Sequence, residues 1–171
     1  RFGSTSFHFA ALYALVGDEK MDDFFRRLKA NGLHVVDGNS VVRDLVARGD
    51  VKVGLTDTDD VNVALEDGQP IAMVLPDKNG LGVPVMPNMV SLIANAPHPD
   101  DARRLIDYRL SPDVERQLAQ SEAVQIPLHA GVAGPKNIPA IDTFKPMTLD
   151  YAKAATRVED VTHRLATILG L

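Results

Sequence analysis

The sequence predicts an α/β fold, because short apolar stretches with period-two alternation take turns with longer stretches whose apolar residues recur every three or four positions. Two further observations agree with it. Hydroxyl and amide residues sit at the starts of several predicted helices, and an acidic cluster lies where a strand ends and a helix begins. Ligand sites of open α/β sheets occupy that kind of position.

The elements follow in order. Ser4, Thr5 and Ser6 precede an apolar run over 7–16 that Gly17 closes, which reads as a helix with hydroxyl caps ahead of it. Asp18 opens a second helix, where Met21, Phe24, Phe25 and Leu28 fall on one stripe and Gly32 follows the end. Residues 33–36 read as a short strand, and Asn39 and Ser40 cap a third helix whose Val41, Val42, Leu45 and Val46 face a core. Val51, Val53 and Leu55 alternate as in a half-buried strand, 51–56. A short helix over 59–66, a strand over 71–75 and a turn over 76–80 complete the first part.

Beyond Gly82, segments 83–86 and 89–93 read as strands separated by Pro87 and Asn88. Asp100 stands at the start of a helix with Ala102, Leu105, Ile106 and Arg109 on one stripe, and Ser111 with Pro112 starts another by the hydroxyl-then-proline rule. Segment 124–146 is expected to be extended on the surface. Val158, Val161, Leu165 and Ile168 mark a closing helix. No internal repeat or low-complexity tract interrupts this order.

Composition narrows the function. At 171 residues the chain is sized for one full core, and 45% hydrophobic with 24% charged residues is ordinary for a globular protein. A net charge of −5 with no basic stripe argues against a nucleic-acid partner. Without cysteine there are no disulfides, thiolate nucleophiles or Cys-based zinc sites. No apolar run approaches the ~20 residues that a bilayer-crossing helix needs. The chain starts at Arg1 rather than Met, with no visible signal peptide, on what reads as the turn after a strand; further sequence upstream is expected.

Chemistry concentrates in 56–60, where Thr56, Asp57, Thr58, Asp59 and Asp60 adjoin. Three carboxylates this close repel one another unless a cation, a ligand or helix-terminal N–H groups compensate. Two readings stand: Asp59 or Asp60 only caps the next helix, or capping is combined with ligand contact. Ser4, Thr5 and Ser6 at one helix start, and Asn39 and Ser40 at another, carry the hydrogen-bonding chemistry of anion sites. The expected ligand site therefore comprises Ser4, Thr5, Ser6, Asn39, Ser40, Asp57, Thr58, Asp59 and Asp60, on condition that their loops converge. Five scattered histidines show no metal-ligand spacing, and His8 reads as packed within its apolar helix rather than as a ligand.

Asp57-Thr58-Asp59-Asp60-Val61 also resembles the aspartyl-phosphate loop of haloacid-dehalogenase-like phosphotransferases. That resemblance implies Asp57 as nucleophile, Asp59 as general acid and Mg²⁺ between carboxylates. The same stretch spells the D-x-D-D of class II terpene cyclases, but without Trp and with 5% aromatic residues nothing would stabilise carbocations.

A broader resemblance is carried by Phe2-Gly3-Ser4-Thr5-Ser6, Gly38-Asn39-Ser40, Gly54-Leu55-Thr56-Asp57-Thr58-Asp59-Asp60, Leu75-Pro76-Asp77, Asn95-Ala96-Pro97-His98-Pro99 and Leu110-Ser111-Pro112, in that order. Together they resemble periplasmic solute-binding proteins of ABC transporters, in the ferric-iron-binding branch of the type 2 fold, over roughly residues 1–150. The resemblance implies two α/β lobes closing on a ligand: one nearly complete lobe over 1–80, a return segment of the other over 81–130, and a C-terminal extended tail and helix over 131–171. It implies a non-enzymatic, periplasmic binding protein that delivers its solute to a membrane permease.

Iron-binding members of that family place two adjacent tyrosines where Asp59 and Asp60 stand here. Carboxylates are hard oxygen ligands for Fe³⁺ or a divalent cation, and they also hydrogen-bond organic cations and sugar hydroxyls. The counter-anion site of the family matches Ser4, Thr5 and Ser6. The resemblance thus implies a small ligand, either a metal ion held by Asp59 and Asp60 with its counter-anion, or another small polar solute. A partial scaffold with exposed apolar surface predicts self-association. The effector domain of a transcription regulator shares the type 2 fold and is a third expectation.

Overall fold

The computed structural model describes residues 3–171; Arg1 and Phe2, which begin the chain and the first motif, lie outside the described residues. The architecture is helical: α1 Ser4–Val16, α2 Asp18–Ala30, α3 Asn39–Ala47, α4 Thr58–Glu66, α5 Pro99–Arg109, α6 Pro112–Gln120 and α7 Tyr151–Leu169, with a 3₁₀ turn at Ile141–Thr143. Each predicted helix is present. Several starts come earlier than expected: Ser4, Thr5 and Ser6 form the first turn of α1 behind Gly3 rather than capping a helix over 7–16, and Asn39 opens α3 behind Gly38. Ser111 caps α6 as expected, its hydroxyl accepting from the Val114 amide at 3.4 Å.

The α/β expectation, and the type 2 binding fold with it, is not met. Helix accounts for 51% and strand for 1% of the structure, and among the described residues the one β contact is a parallel bridge between Val83 and Pro146. Segments 33–36, 51–56, 71–75, 83–86 and 89–93 form no strand ladder. The alternation in 51–55 reports an extended chain with two unlike faces. A strand needs in addition a neighbour about 5 Å away to take its N–H and C=O groups. No described segment pairs with these in a ladder, and several of their side chains face outward: Val53 is 87% exposed, Val74 82% and Met89 88%.

The core instead lies where α1, α2 and α7 meet. Ala10 and Tyr13 of α1, Met21 and Phe25 of α2, and Val161 and Leu165 of α7 are buried together, flanked by Phe9, Leu12, Val16, Leu28, Val158 and Ile168. Phe9 meets Phe25 edge-on, with ring centroids 4.9 Å apart. The Tyr13 hydroxyl donates to Asp22 Oδ1 at 2.9 Å, and Arg164 of α7 donates to Asp22 Oδ2, also at 2.9 Å. Burial, then the Asp22 carboxylate, pushes the Tyr13 phenol well above its usual range.

Two further helix pairs stand apart from this bundle, α3 on α4 and α5 on α6. Segment 51–57 lies against α3, so closely that a Cβ on Gly54 would run into Val42 Cγ1. Return of the chain to α7 is made at Val83, which donates to Lys145 O at 2.9 Å and accepts from the Met147 amide at 2.8 Å. Gly82, at φ +103°, has Lys145 O 2.8 Å from where its Cβ would be, so this crossing requires glycine.

Phe25 is 2% exposed at the centre of the bundle. Phe25→Ala is expected to cost about 3–5 kcal/mol. Thermal melting followed by circular dichroism should show the midpoint falling by roughly 6 °C or more.

Candidate functional site

Three helix starts, those of α1, α3 and α4, meet at one carboxylate. Asp57 is the residue before α4, and its backbone carbonyl accepts the first bond of that helix from the Val61 amide at 3.4 Å. Its side chain does not cap α4. Asp57 Oδ2 instead accepts from the Ser4 hydroxyl of α1 at 2.8 Å and from the Asn39 side-chain amide of α3. Thr5 Oγ1 lies 3.5 Å from Asn39 Oδ1, and Thr56 Oγ1 donates to the Asn39 carbonyl at 3.1 Å. With its nitrogen facing Asp57 and its oxygen facing Thr5, the Asn39 amide has one consistent orientation.

These groups come from positions as many as 53 residues apart, and local reasons explain why they meet. Gly3 and Gly38 leave the α1 and α3 starts without a side-chain cap, so their first-turn N–H groups remain for other acceptors. A carboxylate near such ends is stabilised by the helix dipoles and by charge-assisted hydrogen bonds.

Asp59 and Asp60 lie in the first turn of α4. Asp60 faces Arg43 of α3 at 3.5 Å. Burial, and then the neighbouring Asp59 charge, hold the Asp60 carboxyl above its ordinary range, with Arg43 opposing. His8, one turn into α1, is shifted down by burial against the pull of Asp57. Its ring stacks on Phe9 with centroids 5.5 Å apart, in keeping with a packed residue.

The structure therefore brings Ser4, Thr5, Asn39 and Asp57 into one hydrogen-bonded set and puts Asp59 and Asp60 on the adjoining turn. Ser6, Ser40 and Thr58 lie on the same three first turns, but no side-chain hydrogen bond joins them to the set among the described residues. No group of three or more His, Asp or Glu gathers to hold a metal ion among those residues. Asp59 and Asp60 alone provide fewer oxygens than the six or more that a hard cation such as Ca²⁺ takes. Open grooves lie elsewhere among the described residues, including one along Lys78, Asn79, Asp142 and Phe144 and another along Asp22, Arg26 and Arg164.

A phosphotransferase would need a second acidic pair at the site, and Asp100 and Asp101 do not supply it: they open α5, which does not pack against α4. Both are exposed and turned to Arg103 and Arg104 of their own helix.

Sequence reasoning missed Arg43 and the bond between buried Asn62 and half-buried Asn137. Arg43 stands four positions after Asn39, hence on the same face of α3, a spacing that contained the signal. Asn62 is 1% exposed and accepts from the Asn137 amide at 3.1 Å, across 75 positions that no local pattern spans.

A protein-family model described as bacterial extracellular solute-binding protein matches residues 3–145. The chain belongs to that family. No curated protein and no solved structure matches it. Membership makes this an extracellular solute-binding protein, of a family that takes up small ligands, works with transporters and is generally non-enzymatic. The helical architecture is a separate finding about these residues, and the two stand side by side.

One pH effect follows for this solute-binding protein. Since His8 is shifted below 6.5 in the folded state, the unfolded chain takes up that proton first on acidification. Its contribution is complete above pH 6.5 and declines as pH falls below it. Urea midpoints measured at about pH 7.5 and about pH 5.5 are expected to differ less in His8→Leu than in the parent protein.

Proposed function

We propose that the protein is the solute-binding component of an ABC importer, and that its ligand contacts the Ser4, Asn39 and Asp57–Asp60 cluster. The observation that supports this most is the meeting of three helix starts from separate parts of the chain on Asp57. A structural cap needs only its own helix. Here acceptor and donor groups from α1, α3 and α4 surround one spot, with Asp59 and Asp60 on the adjoining turn and Arg43 paired to Asp60.

Carboxylates predominate at this spot, which favours a ligand that donates hydrogen bonds, such as a polyol or a small organic ammonium compound. A metal ion with a counter-anion fits less well. The acids are too few for it, and Asp57 already takes the Ser4 hydroxyl that the anion would use. The expected location is the periplasm, with a membrane permease as partner.

Native mass spectrometry of the purified protein, with elemental analysis, is expected to show an organic solute released on denaturation. Each charged hydrogen bond lost is worth about 1.5–3 kcal/mol, roughly tenfold to a hundredfold in affinity. Asp59→Ala should therefore retain far less of the solute; equal retention would rule this cluster out.

A further inference from the structure

We propose that Asp57 is a conformational latch, the side chain that holds the α3–α4 pair against the α1–α2–α7 bundle. Among the described residues the helices supply no other strong tie. Every side chain of the main core belongs to α1, α2 or α7, and neither α3 nor α4 contributes to it. Nor does α1 pack on α3 or α4, the two helices packing on each other instead. Helix α3 buries no residue fully, and α4 buries Asn62 and Ala64. The Asn62–Asn137 bond joins α4 to the loop over 131–140, not to the bundle.

What crosses from bundle to pair is polar and centred on one oxygen atom. Asp57 Oδ2 accepts from Ser4 of α1, which crosses, and from Asn39 of α3, which braces Asp57 within the pair; the weaker Thr5–Asn39 contact at 3.5 Å crosses beside it. Half-buried hydrogen bonds to a carboxylate are strong enough to order two elements, and they are exchangeable where an apolar seam is not. Any molecule that takes the Ser4 hydroxyl has to displace Asp57, and that frees the pair. Occupancy of this corner and the placement of α3–α4 are thereby coupled. The latch depends only on these bonds and stands whether or not the solute-binding site lies here.

Hydrogen–deuterium exchange of the ligand-free protein tests it. Asp57→Ala is expected to speed amide exchange in α3 and α4 by about tenfold or more, with the Tyr13–Phe25–Val161 bundle unchanged. Asp57→Asn keeps an acceptor oxygen and should fall between, while Asn39→Ala removes one donor and should repeat the effect more weakly. Unchanged exchange in α3 and α4 would overturn the latch. So would loss of protection in all helices together, or failure to fold, which would make Asp57 a support of the whole chain.

Discussion

The dry contact of α7 with α1, closed over by α2, is what the rest of the molecule is built upon. It joins the two ends of the described chain, so the stretch between them, α3 to α6 included, is anchored at both ends. Aromatic rings fill its centre, and one polar network seals its edge. Asp22 receives both Tyr13 and Arg164, and Asp18 receives Arg157 at 2.9 Å and Arg164 at 3.2 Å. Several donors compensate the buried Asp22 carboxylate, and removing one of them would leave it poorly compensated.

Outside that bundle the structure is held by local devices. Glu115 of α6 accepts from the backbone amides of Leu128 and His129, tying the extended segment after α6 back onto its helix. Those bonds hold the Glu115 carboxyl below its ordinary range against the opposing effect of burial. Tyr151 at the head of α7 donates to the Val85 carbonyl at 2.8 Å and stacks its ring against Phe7, so the middle of the chain is pinned where α1 and α7 begin. The solute-binding assignment comes from the family match, and the cluster at Asp57 offers the charge and hydrogen-bonding groups that a polar ligand would use.

Helices were legible because each states its own period and ends. The stripe Met21, Phe24, Phe25 and Leu28 specifies which face of α2 is buried without reference to anything distant, and Ser111 with Pro112 announces α6 within two residues. The sequence named the polar helix starts and made a site conditional on their convergence; that Asp57 rather than Asp59 takes the central position was not legible, because it depends on how 51–57 lies along α3. Asn62 with Asn137, like Asp22 with Arg164, joins positions too far apart in sequence for periodicity to connect.

Composition, helix faces and the ordered motifs of a solute-binding family were determined by the sequence alone, for each depends on a residue and its near neighbours. Whether alternating segments such as 51–56 join a sheet was decided only in three dimensions, because a strand is defined by the partner that receives its backbone hydrogen bonds. Tertiary structure likewise chose which carboxylate the helix starts share, since that choice requires three separate loops to occupy one place.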